Sequence, residues 1–544
     1  NTSDYAKLWK IRKGLFPIVG AERELGSTVI IEDICFPLDE LAAGTLALQR
    51  LLDTHGYTEA VIFGHALEGN LHFVFTQDFN DLEEVKRYDG FMRDLATLMC
   101  DEFSGSLKAE HGTGRNMAPF VEVEWGHKAY NIMQRIKTLF DPKGILNPDV
   151  IISIKPELHI SDLKQTPAAD PLVDQCIECG FCESVCPSRD VTISPRQRIT
   201  VWREIQNRKE QGLPTEELLK EFKYLGVDTC AGDGMCASQC PVEIDTGKLV
   251  KQLRAESHGD TGNTIAQWTG DHFGFLSYFA KTGLKLAGVS RSLIGRHRIN
   301  DFPNATRNPS FLGKPRHLKD VVYFSSCIHR MMGSDGGKEQ FEVVSSLLDK
   351  AGYNVILPTS PDQLCCGLPY ESKGYNDVAS RKMQELKDEL LKVSDGGRIP
   401  VICDNSPCSY LMLDNLGETA LNIFDAPTFF AARLDKLNIQ ASDEPIIIYS
   451  VCSQQKAGES SALTAIAEAC SSEVKITEHI SCCGFGGDRG FSHPELNASA
   501  LQTLPDQATG CCSGYSSSKT CEIGLKKHSG IPFNSILQLL DEQS

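Results

Sequence analysis

The stretch Cys176-Ile-Glu-Cys179-Gly-Phe-Cys182-Glu-Ser-Val-Cys186-Pro187 decides how the rest of the chain is read. Its cysteines fall at C-x2-C-x2-C-x3-C, and proline follows at once. This is the run that wraps a cubane iron–sulfur cluster. Three thiolates hold one cluster from a tight loop, and the fourth, leaving on the Cys-Pro step, ligates a second. The run therefore predicts a partner motif. A zinc knuckle is the competing reading of any cysteine cluster, and this spacing with its proline argues against it.

The partner lies downstream. Cys230, Cys236 and Cys240, with Pro241, repeat the spacing, but Asp233 stands where the second cysteine would be. By the crossover rule Cys176, Cys179, Cys182 and Cys240 hold one cubane, and Cys186, Cys230 and Cys236 hold the other. Asp233 either ligates the fourth iron or leaves a three-iron cluster. The expected complement is two [4Fe-4S] clusters, or one [4Fe-4S] and one [3Fe-4S].

Composition narrows the class. The chain has 544 residues, room for several domains. Its net charge of −18, with no basic stripe, argues against a nucleic-acid partner. It carries 21 cysteines, yet it starts on polar residues with no apolar signal core. The thiols therefore point to metal and redox chemistry in a reducing compartment, not to a secreted disulfide scaffold. No run of about 18 apolar residues predicts a membrane-spanning helix.

Upstream of the motif, Tyr5 to Arg12 reads as a helix, and the chain is expected to begin inside a domain. Strands are expected at 28–31, 60–63 and 71–75, and helices at 37–52 and 82–103, without a βαβ repeat, so this part is α+β. His65 and His72 flank the turn Gly64 to Gly69, and Glu110-His111 precede Gly112-Thr-Gly114. Two imidazoles and a carboxylate would make an open divalent metal site, with His111 placed to act as a base. Spacing alone leaves open that these histidines are ordinary core or surface groups.

Downstream, 265–299 reads as a mixed helix, with Trp268, Phe273, Phe275, Tyr278, Phe279 and Leu293 set among Lys281, Lys285, Arg291, Arg296 and Arg298. It suits either an anionic membrane surface or a linker helix with a solvated face. The last part is an internal repeat. Val321 to Cys327 matches Ile446 to Cys452; Cys365-Cys366-Gly367 matches Cys482-Cys483-Gly484; Asn405 to Cys408 matches the segment ending at Cys521. Short apolar runs followed by helices predict two α/β units. Adjacent thiols in a Cys-Cys-Gly turn can face one metal site, so Cys327, Cys365, Cys366, Cys403 and Cys408 form one candidate set. Cys452, Cys482, Cys483 and Cys521 form the other; Cys511 and Cys512 do not align. Zinc or inert buried thiols remain the alternative. Gly484-x-Gly486-Gly487 is not read as a dinucleotide loop, because it follows a cysteine pair and no βαβ turn.

The segments around His65, His72, Glu110-His111 and Asn147-Pro148 resemble the C-terminal part of FAD-linked oxidases of the vanillyl-alcohol oxidase superfamily. The repeats resemble the CCG cysteine-rich domains of heterodisulfide reductase and of glycolate and lactate oxidation. The order of parts is similar to that of FAD-linked D-2-hydroxyacid dehydrogenases, D-lactate dehydrogenase above all, fused to ferredoxin-type and CCG domains. The resemblance implies that His65, His72 and Glu110 bind a divalent metal, zinc or manganese. It implies that His111 is the base, that Arg12 pairs with the substrate carboxylate, and that Gly69 and Asn70 lie near the flavin. FAD itself would be held mostly by a domain upstream of Asn1, so the chain alone is expected to bind flavin poorly and to be inactive.

The expected architecture is multidomain: an α+β FAD-oxidase cap (1–155), a two-cluster ferredoxin-type domain (156–260), a helical linker (261–315) and two α/β CCG units (316–440 and 441–544), each CCG unit a candidate for a further cluster. The expected function is oxidation of D-lactate to pyruvate with electrons passed to a quinone or cytochrome. D-2-hydroxyglutarate and glycolate stand as alternative substrates. An electron-transfer module without substrate chemistry stands as an alternative class. The expected placement is cytoplasmic, with room for peripheral contact on the inner face of a bacterial cell membrane.

Overall fold

The computed structural model describes residues 2–294, 303–307, 319–334 and 337–544. Arg296, Arg298 and the rest of the expected linker at 295–302 and 308–315 lie outside these. The chain divides into two compact units: Asn1–Cys179 with Ile199–Thr215, and Gly180–Arg198 with Glu216–Ser544. The division passes through the opening motif, with Cys176 and Cys179 in the first unit and Cys182 and Cys186 in the second.

The first unit is built on three antiparallel strands, β1 (Thr28–Cys35), β2 (Val61–His65) and β3 (Asn70–Gln77), in the order β1-β3-β2. Side chains alternate across a strand. Leu71, Phe73 and Phe75 therefore enter a core with Leu48, Leu52 and Phe91. The opposite face carries polar groups, and register decides which of them meet. Asp33 pairs with His72, Phe63 with His72, and His65 with Asn70, so all share that face. The β2–β3 turn needs its glycines: a Cβ on Gly64 would lie 2.2 Å from the Asn70 carbonyl, and one on Gly69, at φ +69°, 2.2 Å from that of Phe36. The helix expected to run to Phe103 ends at Thr97 and widens into a π turn, Leu98–Glu102.

A fully buried carboxylate fixes the remaining piece. Asp33 Oδ2 accepts the backbone N–H groups of Ala109, Glu110 and His111, each at 2.9 Å, and Oδ1 accepts from Asn70 Nδ2 at 2.6 Å. The loop carrying Glu110 and His111 is thereby tied to β1.

In the second unit, β4 (Lys319–Phe324), β5 (Tyr353–Ile356), β6 (Val401–Cys403) and β7 (Ile423–Asp425) form a parallel sheet in the order β5-β4-β6-β7. Strands β8 (Ile446–Ile448), β9 (Val474–Ile476), β10 (Ser513–Ser516) and β11 (Phe533–Ser535) form another in the order β9-β8-β10-β11. The two orders are the same permutation, so the repeat seen in the sequence is a repeat of topology. The sheets share one apolar core, in which Tyr323, Leu347 and Phe429 from the first meet Ile448, Leu463 and Leu540 from the second.

One buried acid crosses between the repeats. Asp425 accepts from Ser406 Oγ at 2.6 Å, Ser409 Oγ at 2.8 Å and Gln454 Nε2 at 3.2 Å. Burial outweighs these bonds and pushes its carboxyl up to about 7. Asp33 goes the other way. Burial pushes it up, but the N–H groups of His111, Glu110 and Ala109, with Asn70, outweigh burial and hold it below the usual carboxylate range.

These opposite shifts give opposite pH behaviour. Asp425 binds its proton more tightly folded than unfolded, so its contribution to stability falls as pH rises from about 4 to 7, by up to roughly 1.4 kcal/mol per pH unit. Asp425→Asn should flatten that slope and raise the melting temperature at pH 8 more than at pH 5, because Gln454 can turn its buried, unpaired Oε1 to accept the new amide. Asp33 stabilises the fold above the unfolded carboxylate range, and that contribution is lost as pH falls through its depressed folded value. Asp33→Asn should cost about 2–3 kcal/mol at pH 7 in chemical denaturation, with the difference shrinking toward pH 3.

Candidate active site and metal centres

On the polar face of the first sheet, the end of β2, the start of β3 and the loop after Leu107 converge. His65 Nε2 lies 3.3 Å and His72 Nε2 2.7 Å from Glu110 Oε1. All three donor atoms lie within 4.8 Å of one another, and among the described residues this is the group that could hold a single ion. Ligands about 2.0–2.2 Å from a tetrahedral cation stand somewhat over 3 Å apart, so the set fits with small adjustments. Its chemistry fits too. Burial lowers the His72 pKa, His111 lowers it further, and Asp33 and Glu110 only partly oppose them. A neutral imidazole is the form that ligates. His72 Nδ1 has no hydrogen bond; Asp33 Oδ1 stands 3.6 Å away, too far to make one.

His111 stacks on His72 with ring centroids 4.7 Å apart, and its Nε2 is 4.0 Å from Glu110 Oε1. Arg12, on the helix Thr2–Ala21, donates Nη2 to His65 Nε2 at 3.1 Å and lies over the Trp9 ring at 4.9 Å. A cation taking that lone pair would compete with the guanidinium for His65. Asn70 is committed inward, to Asp33 and to the Ile34 carbonyl. Gly69 makes the left-handed turn that places Asn70.

Sequence reasoning brought forward six polar residues of this site and missed Asp33. The signal was an acidic pair, Glu32-Asp33, inside an otherwise apolar strand. A buried acid there needs donors, but nothing local says that residues 76 to 78 positions away supply them.

The cysteine sets are placed as follows. In the first unit the Cys176 carbonyl accepts from Arg23 Nη2 at 3.1 Å and Arg203 Nη2 at 2.8 Å, and Cys176 Sγ accepts the Glu178 N–H at 3.3 Å. In the second unit the turn Phe181–Glu183, which carries Cys182, packs on the helix Met235–Gln239. The fully buried Arg198 sends Nη1 to within 3.6 Å of Cys186 Sγ and lies near Cys230 and Cys236. Burial disfavours its charge, but those thiols favour it more, so a fixed cation stands among three of the expected ligands. Sequence reading missed this arginine; a basic residue two positions after Arg196 at the start of a helix gave no signal.

In the first CCG-like repeat Cys327 Sγ lies 3.9 Å from Cys365 Sγ, and Cys366, Cys408 and Cys403 continue the row. The second row runs Cys452, Cys482, Cys483 and Cys521, with 3.1 Å between the last two sulfurs. Both turns are built alike. The Gly367 N–H reaches Cys365 Sγ at 3.4 Å, and the Gly484 N–H reaches Cys482 Sγ at 3.4 Å. Either glycine, left-handed, would drive a Cβ to 2.6 Å from a helix carbonyl, Ala379 or Leu496. Among the described residues no three thiols converge as closely as the histidine group does. The imidazole His329 Nδ1, 3.1 Å from buried Asp404 Oδ1, adjoins the first row and was not foreseen. Cys511 and Cys512 precede β10, at the end of the strand away from Cys521. Asp233 places its carboxyl against the Cys482 thiol.

Three family models match in the order of these parts. Residues 1–151 match the C-terminal domain of FAD linked oxidases, 172–244 a 4Fe-4S dicluster domain, and 321–413 a cysteine-rich domain of the CCG type. A D-2-hydroxyglutarate dehydrogenase of Pantoea ananatis is 23% identical over 635 aligned residues, covering 98% of this chain and 61% of the relative. The mitochondrial cytochrome-type D-lactate dehydrogenase of Arabidopsis thaliana is 34% identical over 149 residues, 27% of this chain and 25% of the relative. A glycolate oxidase subunit of Bacillus subtilis is 31% identical over 130 residues, 24% of this chain and 27% of the relative. The chain thus spans from about a quarter to 61% of the length of these relatives, and its parts match, in order, an FAD linked oxidase C-terminal domain, a 4Fe-4S dicluster domain and a CCG-type cysteine-rich domain.

Proposed function

We propose that this chain carries the substrate-facing site and the iron–sulfur sites of an FAD-linked D-2-hydroxyacid dehydrogenase, oxidising D-lactate to pyruvate. The observation that carries the reading is the convergence of His65, His72 and Glu110 beside His111 and Arg12. When bound, the flavin would supply a two-electron acceptor, the divalent cation a Lewis acid, and the clusters single-electron carriers. The chain's own residues do the rest. His65, His72 and Glu110 hold the cation. Arg12, freed from His65, forks onto the substrate carboxylate. His111 Nε2, on the open side of Glu110, takes the proton of the 2-hydroxyl. Asp33 keeps Glu110 and His111 in place, and Asn70 ties the turn to the same carboxylate.

A second substrate, D-2-hydroxyglutarate, is favoured by one observation: the relative aligned with 98% of the chain bears that name. The cysteine sets are assigned to clusters as the spacing implies, with Asp233 treated below. Electron delivery to a quinone or cytochrome fits the exposed aromatic face of the helix Phe273–Ile294, where Phe275, Tyr278, Phe279 and Leu286 reach solvent. Among the described residues no helix is long and apolar enough to cross a membrane, so this face would meet a membrane peripherally.

In full-length, flavin-loaded protein, His111→Asn should leave bound zinc or manganese unchanged and lower D-2-hydroxyacid oxidation about 10²- to 10⁴-fold. Glu110→Gln should lose the metal as well. A panel of D-lactate, D-2-hydroxyglutarate and glycolate identifies the substrate by kcat/KM. Unchanged oxidation in His111→Asn would leave only the electron-transfer reading.

A further inference from the structure

The two cysteine rows are built on the same topology but are covered differently. Cys327 and Cys365 lie under an apolar cover of Ala266, Phe273 and Tyr370. Cys452 and Cys482 lie under the loop of the second ferredoxin-type motif: Ala231, Met235 and Cys482 form one buried cluster, with Val185 and Cys452 at its edge. The approach is close. Gly486, at φ +49°, would put a Cβ 3.0 Å from the Ala231 carbonyl. The glycines after Cys483, which resemble a nucleotide loop, here make room for another backbone.

Asp233 enters through this contact. Its Oδ1 accepts the Met235 N–H at 3.0 Å, and its carbonyl accepts Lys456 Nζ at 3.1 Å. Lys456 sits on the helix Cys452–Ala457, which begins with the first thiol of the row. The other carboxyl oxygen, Oδ2, is buried without an N–H or O–H donor, and the carboxyl lies against the Cys482 thiol. The Cys482 thiol is the donor that the carboxyl meets, and a metal at the head of the row would take the place of that shared proton. The second row also has a shortfall. Cys403 ends β6 in the first repeat, whereas the matching end of β10 is Ser516.

We propose that Asp233, Cys452, Cys482, Cys483 and Cys521 form a mixed carboxylate–thiolate site for an iron–sulfur cluster in the second repeat. The carboxyl at the ligand position of the dicluster motif then serves the neighbouring centre, and the two centres share one loop. The CCG family match ends at residue 413, before this row begins. The proposal rests on reading the cysteine rows as iron–sulfur sites, and it is independent of which hydroxyacid is oxidised.

The full chain would be reconstituted anaerobically with ferrous iron and sulfide, then assayed for iron, acid-labile sulfide and the electron paramagnetic resonance of its reduced and oxidised states. Cys482→Ser and Cys236→Ser each mark one centre by the signal they remove. Asp233→Asn, which keeps the side-chain shape, should alter the Cys482-dependent signal and weaken iron uptake at that centre about 10- to 100-fold. It should spare the Cys236-dependent signal. Asp233→Cys should restore Cys482-dependent iron with a shifted signal, which a merely structural carboxyl would not do. The proposal is overturned if Asp233→Asn changes only the Cys236-dependent signal, if Asp233→Cys converts that centre to a complete cubane, or if Cys482→Ser removes no iron. Substrate oxidation is not read, so failure here leaves the hydroxyacid reading standing.

Discussion

The first unit depends on one carboxylate. Asp33 has no exposed surface, and its oxygens take three consecutive backbone N–H groups and one amide. Such a nest is anion-binding by construction, and here the anion is supplied from the neighbouring strand. A loop rich in glycine, with Gly112 and Gly114 both left-handed, would otherwise sample many conformations. Tied down, it holds Glu110 across from His72 and stacks His111 on the same ring. The metal-capable trio, His111 and the strand register are therefore one construction.

The second unit depends on packing of a different kind. Thiols must come within a few ångströms of one another, which needs backbones to approach closely at the Cys-Cys-Gly turns. Gly367 and Gly484 meet that need in the same way, each against a helix carbonyl. The shared core then fixes the two rows relative to each other through buried side chains such as Tyr323 and Ile448. Because the covers of the rows differ, duplicated ligand sets need not have duplicated chemistry. One row faces apolar groups, and the other faces the loop of an iron–sulfur motif.

What could be read from the sequence was whatever chemistry is written locally. Ligand spacing in Cys176–Pro187 is local, and so is the Cys-Cys-Gly signature, which exposed the repeat before its strand order was known. The strands of the first unit were legible from short β-branched and aromatic runs. Asp33, Arg198 and His329 were not legible, because their roles are made by groups far away in the chain. Asp233 shows the limit most clearly. Spacing put it at a ligand position of one motif, while the fold turns its carboxyl toward a cysteine from another. The Gly484 loop shows the converse: a pattern known from phosphate binding serves a close backbone contact.

The central claim is that His65, His72 and Glu110 hold a cation to which the substrate hydroxyl binds. The most direct measurement is electron paramagnetic resonance of manganese-loaded, flavin-containing protein with a D-2-hydroxyacid carrying ¹⁷O at its 2-hydroxyl. The account predicts hyperfine broadening of the manganese signal with the D enantiomer, none with the L enantiomer, and no bound manganese in Glu110→Gln. A manganese signal that depends on Glu110 but is unaffected by any labelled D-2-hydroxyacid would contradict it.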